Sequence, residues 1–123
     1  MNKQEQNRTI HRVISVFGAK NQKMQTIEEL IELQKEIFEN VHRETNNRQN
    51  ILEEVTDVEI MLTQLKEIYG FDDKQIEDMK DYKLSRLNRT IDKYLKSKQE
   101  NQNVESNNKD IHILRKISNE GKE

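Results

Sequence analysis

The chain has 123 residues, of which 32% are hydrophobic and 36% charged, and its net charge of −2 balances 21 basic against 23 acidic residues. This length predicts one domain, and the lean apolar content predicts both partial disorder and self-association to complete a core. The near-neutral charge provides no global field to attract nucleic acid. The absence of cysteine excludes disulfides and thiolate metal sites, and three scattered histidines argue against a histidine-rich zinc site.

Secondary-structure signals favour an all-α protein with about four helices. There is no proline, only three glycines, and no sustained two-residue alternation of apolar and polar side chains. No apolar run approaches the roughly 20 residues that span a bilayer. The first residues also lack the apolar core of a signal peptide, so we expect a cytoplasmic protein without a membrane partner.

Apolar residues at helical spacing predict the first two helices. The first covers about 3–17 and stops at Gly18, and the second covers about 22–43. Residues 45–47, Thr-Asn-Asn, read as a loop.

The third helix is predicted over about 49–69, with Gly70 in the position of a C-terminal cap. The fourth begins after Asp72 or Asp73 as N-cap and ends near residue 97. These helices form a predicted domain over 1–97.

A polar tail is predicted over 98–123. Its first part is rich in asparagine and cannot bury a core, so it is interpreted as a flexible linker. Residues 111–117, IHILRKI, contain four apolar positions and predict a short helix. Two interpretations of that segment remain open, a frayed end and a segment that docks on a partner subunit.

Two acidic motifs lie on the second and third helices, Glu28-Glu29-x-x-Glu32 and Glu54-x-x-Asp57. Acids three residues apart share one helical face. At about 100° per residue, Glu54 projects between Met61 and Leu65 inside the apolar arc of the third helix, and Asp57 lies at the edge of that arc. A carboxylate on a core-facing stripe is costly unless it is paired or binds a metal, so Glu54 and Asp57 are not ordinary surface acids.

Glu29 and Glu32 have weaker support from periodicity. With Glu36 between them in projection, they lie on the side of the second helix away from most apolar residues. Periodicity alone interprets that side as a solvated face. If the two acidic faces meet across an antiparallel helix pair, the result is an all-oxygen cage of the kind that suits Mg²⁺.

Lys83 and Arg86 project onto the apolar arc of the fourth helix. One interpretation is that they form ion pairs with the acids or extend to solvent. The other is that they bind phosphate oxygens of a substrate. The residues leave both open.

The ordered motifs resemble the MazG-like nucleoside triphosphate pyrophosphohydrolases. The resemblance covers about residues 10–92 and does not extend to the tail. It rests on these segments: FGAKNQ at 17–22, EELIE at 28–32, EEVTDVEIMLTQL at 53–65, and DYKLSRLNRTI at 81–91.

This resemblance implies an all-α, MazG-like bundle assembled as a dimer or tetramer. It also implies Mg²⁺-dependent cleavage of (d)NTP to (d)NMP and pyrophosphate, with Mn²⁺ as a substitute ion. The metal ligands and catalytic residues that it implies are Glu29, Glu32, Glu54 and Asp57. Lys83 and Arg86 are then expected to bind the phosphates of the substrate. Glu28 is expected to support the ligands without contacting the metal. Glu36 lies in the gap of 33–53 that is not aligned with the family, and it is expected at most to assist the ligands.

Two rival interpretations remain. The first is a helical interaction protein that keeps this fold without catalysis, motivated by the lean core and the 111–117 segment. The second is a nucleic-acid-binding protein whose basic residues are Lys83, Arg86, Arg89, Lys93, Lys96 and Lys98. The near-neutral charge argues against the second.

Overall fold

The computed structural model describes the backbone of residues 1–120 and the side-chain surroundings of residues 1–117. The helices are α1 (Lys3–Phe17), α2 (Ala19–His42), α3 (Arg48–Tyr69) and α4 (Asp73–Glu120). The predicted all-α class with four helices is confirmed, and residues 1–120 contain no strand. None of these helices combines the length and apolarity needed to cross a membrane.

The ends of α1 follow local hydrogen-bonding chemistry. Asn2 Oδ1 accepts from the Glu5 backbone N–H at 2.8 Å, and Glu5 Oε2 accepts from the Asn2 N–H at 2.9 Å. This reciprocal pair satisfies backbone donors that a helix start leaves free. Gly18 ends α1 with φ at 90°, a conformation that side chains rarely adopt. Helix α2 starts directly at Ala19, three residues earlier than predicted.

Helices α2 and α3 are antiparallel partners joined by residues 43–47. Gly70 ends α3 in the left-handed conformation with φ at 72°. The Phe71 N–H reaches back to the Lys66 carbonyl at 2.9 Å, which closes the helix as glycine-terminated helices commonly close. Both predicted glycine stops are therefore confirmed.

Met1–Asp73 forms one compact unit, and the chain from Lys74 onward forms a second. In the first unit, α2 packs mainly on α3, and α1 contacts both. Val58 and Met61 are the buried hydrophobic side chains of residues 1–117. The buried polar residues of this unit are Gln22, Thr26, Asn47 and Gln64.

A hydrogen bond between two buried amides ties α2 to α3. Gln22 Nε2 donates to Gln64 Oε1 at 2.7 Å, and the Thr26 hydroxyl donates to the Gln22 carbonyl oxygen at 2.8 Å. Buried polar groups are costly unless they are bonded. The paired amides therefore favour one alignment of α2 along α3.

Helix α4 departs from the sequence prediction. It does not end near residue 97 but continues to Glu120, so the stretch predicted as a flexible linker is helical, and the predicted short helix over 111–117 is part of α4. No proline or glycine interrupts residues 71–120, and asparagine, serine and glutamine each disfavour a helix by only some tenths of a kcal/mol, at most about 0.7. The division into a domain over 1–97 and a tail over 98–123 stays a prediction, and residues 121–123 of that tail lie outside the described residues.

Candidate metal centre

The acidic side of α2 approaches α3 at Glu29, about two helical turns from the buried amide pair. Glu29 is half-buried, and its Oε1 accepts a hydrogen bond from Gln25 Nε2 at 2.9 Å. Gln25 lies one turn before Glu29 on the same helix, so this bond limits the rotation of the carboxylate. The second carboxylate oxygen, Oε2, is left for another partner.

Helix α3 contributes Glu54 and Asp57 to the same place. Carboxylate oxygens of Glu29, Glu54 and Asp57 lie within 4.8 Å of one another, with Glu54 half-buried and Asp57 exposed. The two acidic motifs therefore meet across the helix pair. A face that periodicity alone interprets as solvated is turned toward α3 at Glu29.

The spacing of these oxygens is close to what a small hard cation needs. Mg²⁺ binds oxygen at about 2.1 Å, so ligands on opposite sides of the ion are about 4.2 Å apart. A spread of up to 4.8 Å closes to that separation by small rotations of the side chains. Three carboxylates and no nitrogen or sulfur donor select Mg²⁺, Mn²⁺ or Ca²⁺ over zinc or copper.

Glu54 shows the electrostatic cost of this arrangement. Its Oε2 is shielded from solvent and has no hydrogen-bond partner. Desolvation raises the pKa of Glu54 above 4.5, and the charges of Asp57, Glu29, Glu32 and Glu36 raise it further. Burial and like charges both disfavour the ionised carboxylate, and a bound cation would reverse both effects.

No basic side chain offsets these charges in the described part of the chain. The ion pairs found there are His11–Glu67, Arg43–Glu39, Lys74–Asp78 and Lys80–Glu77. None includes Glu29, Glu54 or Asp57. Carboxylates crowded together without a cationic partner are typical of a site that receives its positive charge from a ligand.

Glu32 and Glu36 complete the acidic face of α2. Glu32 is exposed and Glu36 half-buried. Both lie near enough to Glu54 to raise its pKa. The structure thus brings all four predicted acids to one side of the α2–α3 pair, with the three closest oxygens from Glu29, Glu54 and Asp57.

Two polar contacts flank the acids along the helix pair. On one side, the Gln22–Gln64 bond lies seven residues from Glu29 on α2 and seven from Asp57 on α3. On the other side, Asn47 Nδ2 donates to Glu36 Oε2 at 2.7 Å, again seven residues from Glu29 and from Glu54. Seven residues are about two helical turns, so the acids are held between two cross-links.

Sequence reasoning did not single out Gln64 or Asn47 as contributors to the site. That reasoning inferred burial from the periodicity of apolar residues, so it assigned a buried amide to the solvent-facing side. The available signal is a polar heptad on α2, Gln22, Glu29 and Glu36, opposite Asp57 and Gln64 at the same spacing on α3. A polar residue repeated at the core-facing period predicts a hydrogen-bonded seam.

Lys83 and Arg86 belong to the second compact unit, where both are exposed on α4. Their assignment to substrate phosphate stays a prediction. Neither residue forms an ion pair within the described residues. The alternative in which they are neutralised by acids of the same chain therefore has no support among those contacts.

The MazG-like resemblance also stays a prediction. Comparison of the chain with protein-family models, with curated proteins and with solved structures finds no match.

Proposed function

We propose that the acids of α2 and α3 bind Mg²⁺ and that the chain hydrolyses nucleoside triphosphates to the monophosphate and pyrophosphate. The observation that carries this proposal is the meeting of Glu29, Glu54 and Asp57 within 4.8 Å. The buried, unpartnered oxygen of Glu54 supports it. Glu32 completes the ligand set on the sequence argument, and Mn²⁺ is the expected substitute ion.

The cation and the carboxylates would have separate chemical roles in this reaction. Bound Mg²⁺ would neutralise phosphate charge and lower the pKa of an attacking water. Glu29, Glu54 and Asp57 would hold the cation together with Glu32, and a carboxylate of this set near the water would accept its proton. The assignment of Lys83 and Arg86 to the phosphates of the substrate rests on the sequence argument alone. No nucleophilic side chain is required, which fits a chain without cysteine.

Hydrolysis is tested by incubating the full chain with each common NTP and dNTP and Mg²⁺. We expect monophosphate and pyrophosphate in equal amounts from at least one substrate, and no product in EDTA. Chromatography of the nucleotides and a coupled pyrophosphate assay measure the two products. Absence of both across the panel would contradict the proposed reaction.

A second candidate, a non-catalytic helical interaction protein, is favoured by the exposed apolar side chains of α2. Binding of Mn²⁺ by the purified chain separates the two candidates. A chain that binds Mn²⁺ and cleaves a triphosphate supports the enzyme, whereas a chain that binds no divalent cation supports the interaction protein.

We also propose that a second copy of the chain covers one face of α2. Five apolar side chains on that face are more than half exposed: Met24, Ile27, Ile31, Phe38 and Val41. Their spacing of three, four, seven and three residues is that of a helix–helix seam. The seam lies on the side of α2 opposite Glu29 and Glu32, so association through it leaves the acids accessible.

The variant Ile31→Glu is therefore expected to shift the chain from dimer or tetramer to monomer, because a charge at the centre of an apolar seam is desolvated without a partner. Light scattering after size-exclusion chromatography measures the mass, and circular dichroism monitors the helices. Gln49→Glu, with the same charge at an exposed position of α3, should keep the wild-type mass. A wild-type chain that is monomeric at 100-fold different concentrations would contradict self-association.

A further inference from the structure

Positive charge is concentrated in residues 83–98 of α4. This segment contains one acid, Asp92, and these basic residues: Lys83, Arg86, Arg89, Lys93, Lys96 and Lys98. All of them are exposed, and none of the basic residues belongs to an ion pair found in the described part of the chain. The net charge of −2 for the whole chain therefore hides a strongly basic helical segment, which attracts an anionic partner.

The same segment carries an exposed apolar stripe. Its five side chains are each between 45% and 63% exposed: Leu84, Leu87, Ile91, Tyr94 and Leu95. At about 100° per residue, they project within an arc of about 100°, with Ile91 near its centre. Removing such a stripe from water is favourable, so a partner that covers it gains free energy.

The basic side chains lie on another side of the helix from the stripe. Within an arc of about 140° that excludes the apolar one, the projection places Lys83, Arg86, Arg89, Lys93 and Lys96. Lys98 projects into the apolar arc, but at its C-terminal end, where a long side chain can carry its ammonium group beyond an apolar surface. Residues 83–98 thus form a basic amphipathic helix about 24 Å long.

Three kinds of partner fit these two faces unequally. A second copy paired through the stripe would bring two basic segments side by side, and like charges repel. A nucleic acid would neutralise the basic residues through its phosphates, but its backbone offers nothing to cover the stripe. An anionic lipid surface satisfies both faces, because the apolar side chains enter the boundary between headgroups and acyl chains while the basic residues meet the headgroups.

We propose that residues 83–98 of α4 bind the surface of a membrane that contains anionic lipid. An interfacial helix lies in the plane of the surface and does not cross the bilayer. The expectation of no membrane partner was based on the lack of a spanning run and of a signal peptide, neither of which an interfacial helix requires. The inference is independent of the cation site on α2 and α3.

The probe is the full chain mixed with vesicles of three parts phosphatidylcholine to one part phosphatidylserine, and co-sedimentation measures the bound fraction. We expect binding that weakens as salt is raised, because salt screens the charges. Vesicles of phosphatidylcholine alone should bind the chain much more weakly. Absence of binding to the anionic vesicles at low salt overturns the inference.

The charge variant is Arg89→Gln/Lys93→Gln/Lys96→Gln, which leaves Lys83 and Arg86 in place because they are assigned to the substrate. Each basic residue at an anionic surface strengthens binding about fivefold. Loss of all three should therefore weaken vesicle binding about 100-fold.

The matched control removes three positive charges from α4 outside the segment, as Lys109→Gln/Arg115→Gln/Lys116→Gln. These residues are also exposed. The control variant should bind the vesicles as the wild type does. An equal loss in the two triple variants would show that net charge alone drives binding, which overturns the assignment to residues 83–98.

The apolar variant is Ile91→Ala, which keeps every charge and favours the helix. We expect vesicle binding about 10-fold weaker, since less apolar surface leaves water. Thr90→Ala, at the adjacent exposed position outside the stripe, should bind as the wild type does. Circular dichroism without vesicles verifies that both variants stay helical.

Two results of the apolar variant would assign the segment to another partner. Vesicle binding that is unchanged in Ile91→Ala shows attraction by charge alone, as a nucleic acid would provide, and overturns the inference. A smaller mass for Ile91→Ala than for the wild type in light scattering shows that a second copy covers the stripe, which overturns it as well. Neither result bears on nucleotide hydrolysis or Mn²⁺ binding, so the proposed function is tested separately.

Discussion

Replacing Glu54 with glutamine is expected to abolish Mg²⁺-dependent hydrolysis and, in the same protein, to raise the melting temperature without metal. Glutamine keeps the size of the side chain and removes the charge. Loss of a residue that only supports a metal ligand costs about 10- to 100-fold in activity, so loss of a ligand should cost at least about 100-fold. The stability gain follows from the electrostatics of the metal-free site.

The size of that stability gain depends on pH. In the folded chain, the pKa of Glu54 is raised above 4.5, chiefly by desolvation and then by the neighbouring acids. Folding therefore favours the protonated form, and the wild type loses stability as pH rises from its unfolded pKa through the raised folded pKa. Glutamine does not ionise, so the difference in stability between the variant and the wild type in EDTA should be small at pH 4 and larger at pH 8.

Glu53→Gln is the matched control for Glu54→Gln. It removes the same charge from the adjacent residue, which is exposed and outside the acid cluster. Turnover should be unchanged, and any stability change should lack the pH dependence described for position 54. Wild-type turnover in Glu54→Gln would refute its metal role, and a lower melting temperature in EDTA at pH 8 would refute the electrostatic account.

The single variant Gln64→Leu is expected to destabilise the fold more than the double variant Gln22→Leu/Gln64→Leu. Gln64 is 2% exposed and Gln22 is 8% exposed, and each is the partner of the other at 2.7 Å. In the single variant the Gln22 amide is buried without its partner, at a cost of about 1–3 kcal/mol. In the double variant both polar groups are gone and two apolar side chains of similar size remain.

Urea unfolding at one fixed protein concentration measures this difference, because self-association would make stability concentration-dependent. Thr56→Val, at an exposed position of α3, controls for the added apolar surface. Equal destabilisation in the single and double variants would show that the amide pair does not act as a unit. We also expect the double variant to bind Mn²⁺ more weakly, since the apolar pair no longer selects one alignment of α2 on α3.

The ends of α1 and α3 were predictable because each lies at a glycine, whereas α2 begins three residues earlier than predicted. Gly18 and Gly70 adopt the positive φ values that glycine allows, and apolar spacing defines the helices between them. The fourth helix was predicted too short because polar composition was interpreted as a linker. Composition shows that residues 98–110 bury little, but without proline or glycine it does not stop a helix.

The candidate site was predictable to unequal degrees. Glu54 and Asp57 were identified by their place on the apolar arc of α3, which is the face that meets α2. Glu29 and Glu32 needed the family resemblance, because a helical wheel cannot show that a polar face of one helix packs against its neighbour. Asn47 was missed because its role depends on a side chain that reaches back across the loop to Glu36.

The two cross-links on either side of the acids have a consequence for the length of the loop between α2 and α3. A slip of one helical turn moves one helix by about 5.4 Å along the other, more than the 4.8 Å that separates the clustered oxygens. The amides of Gln22 and Gln64 fix the alignment from within the helices, and Asn47 fixes it again at the first residue before α3. Residues 43–46 can therefore be lengthened or replaced without a change in the geometry of the acids.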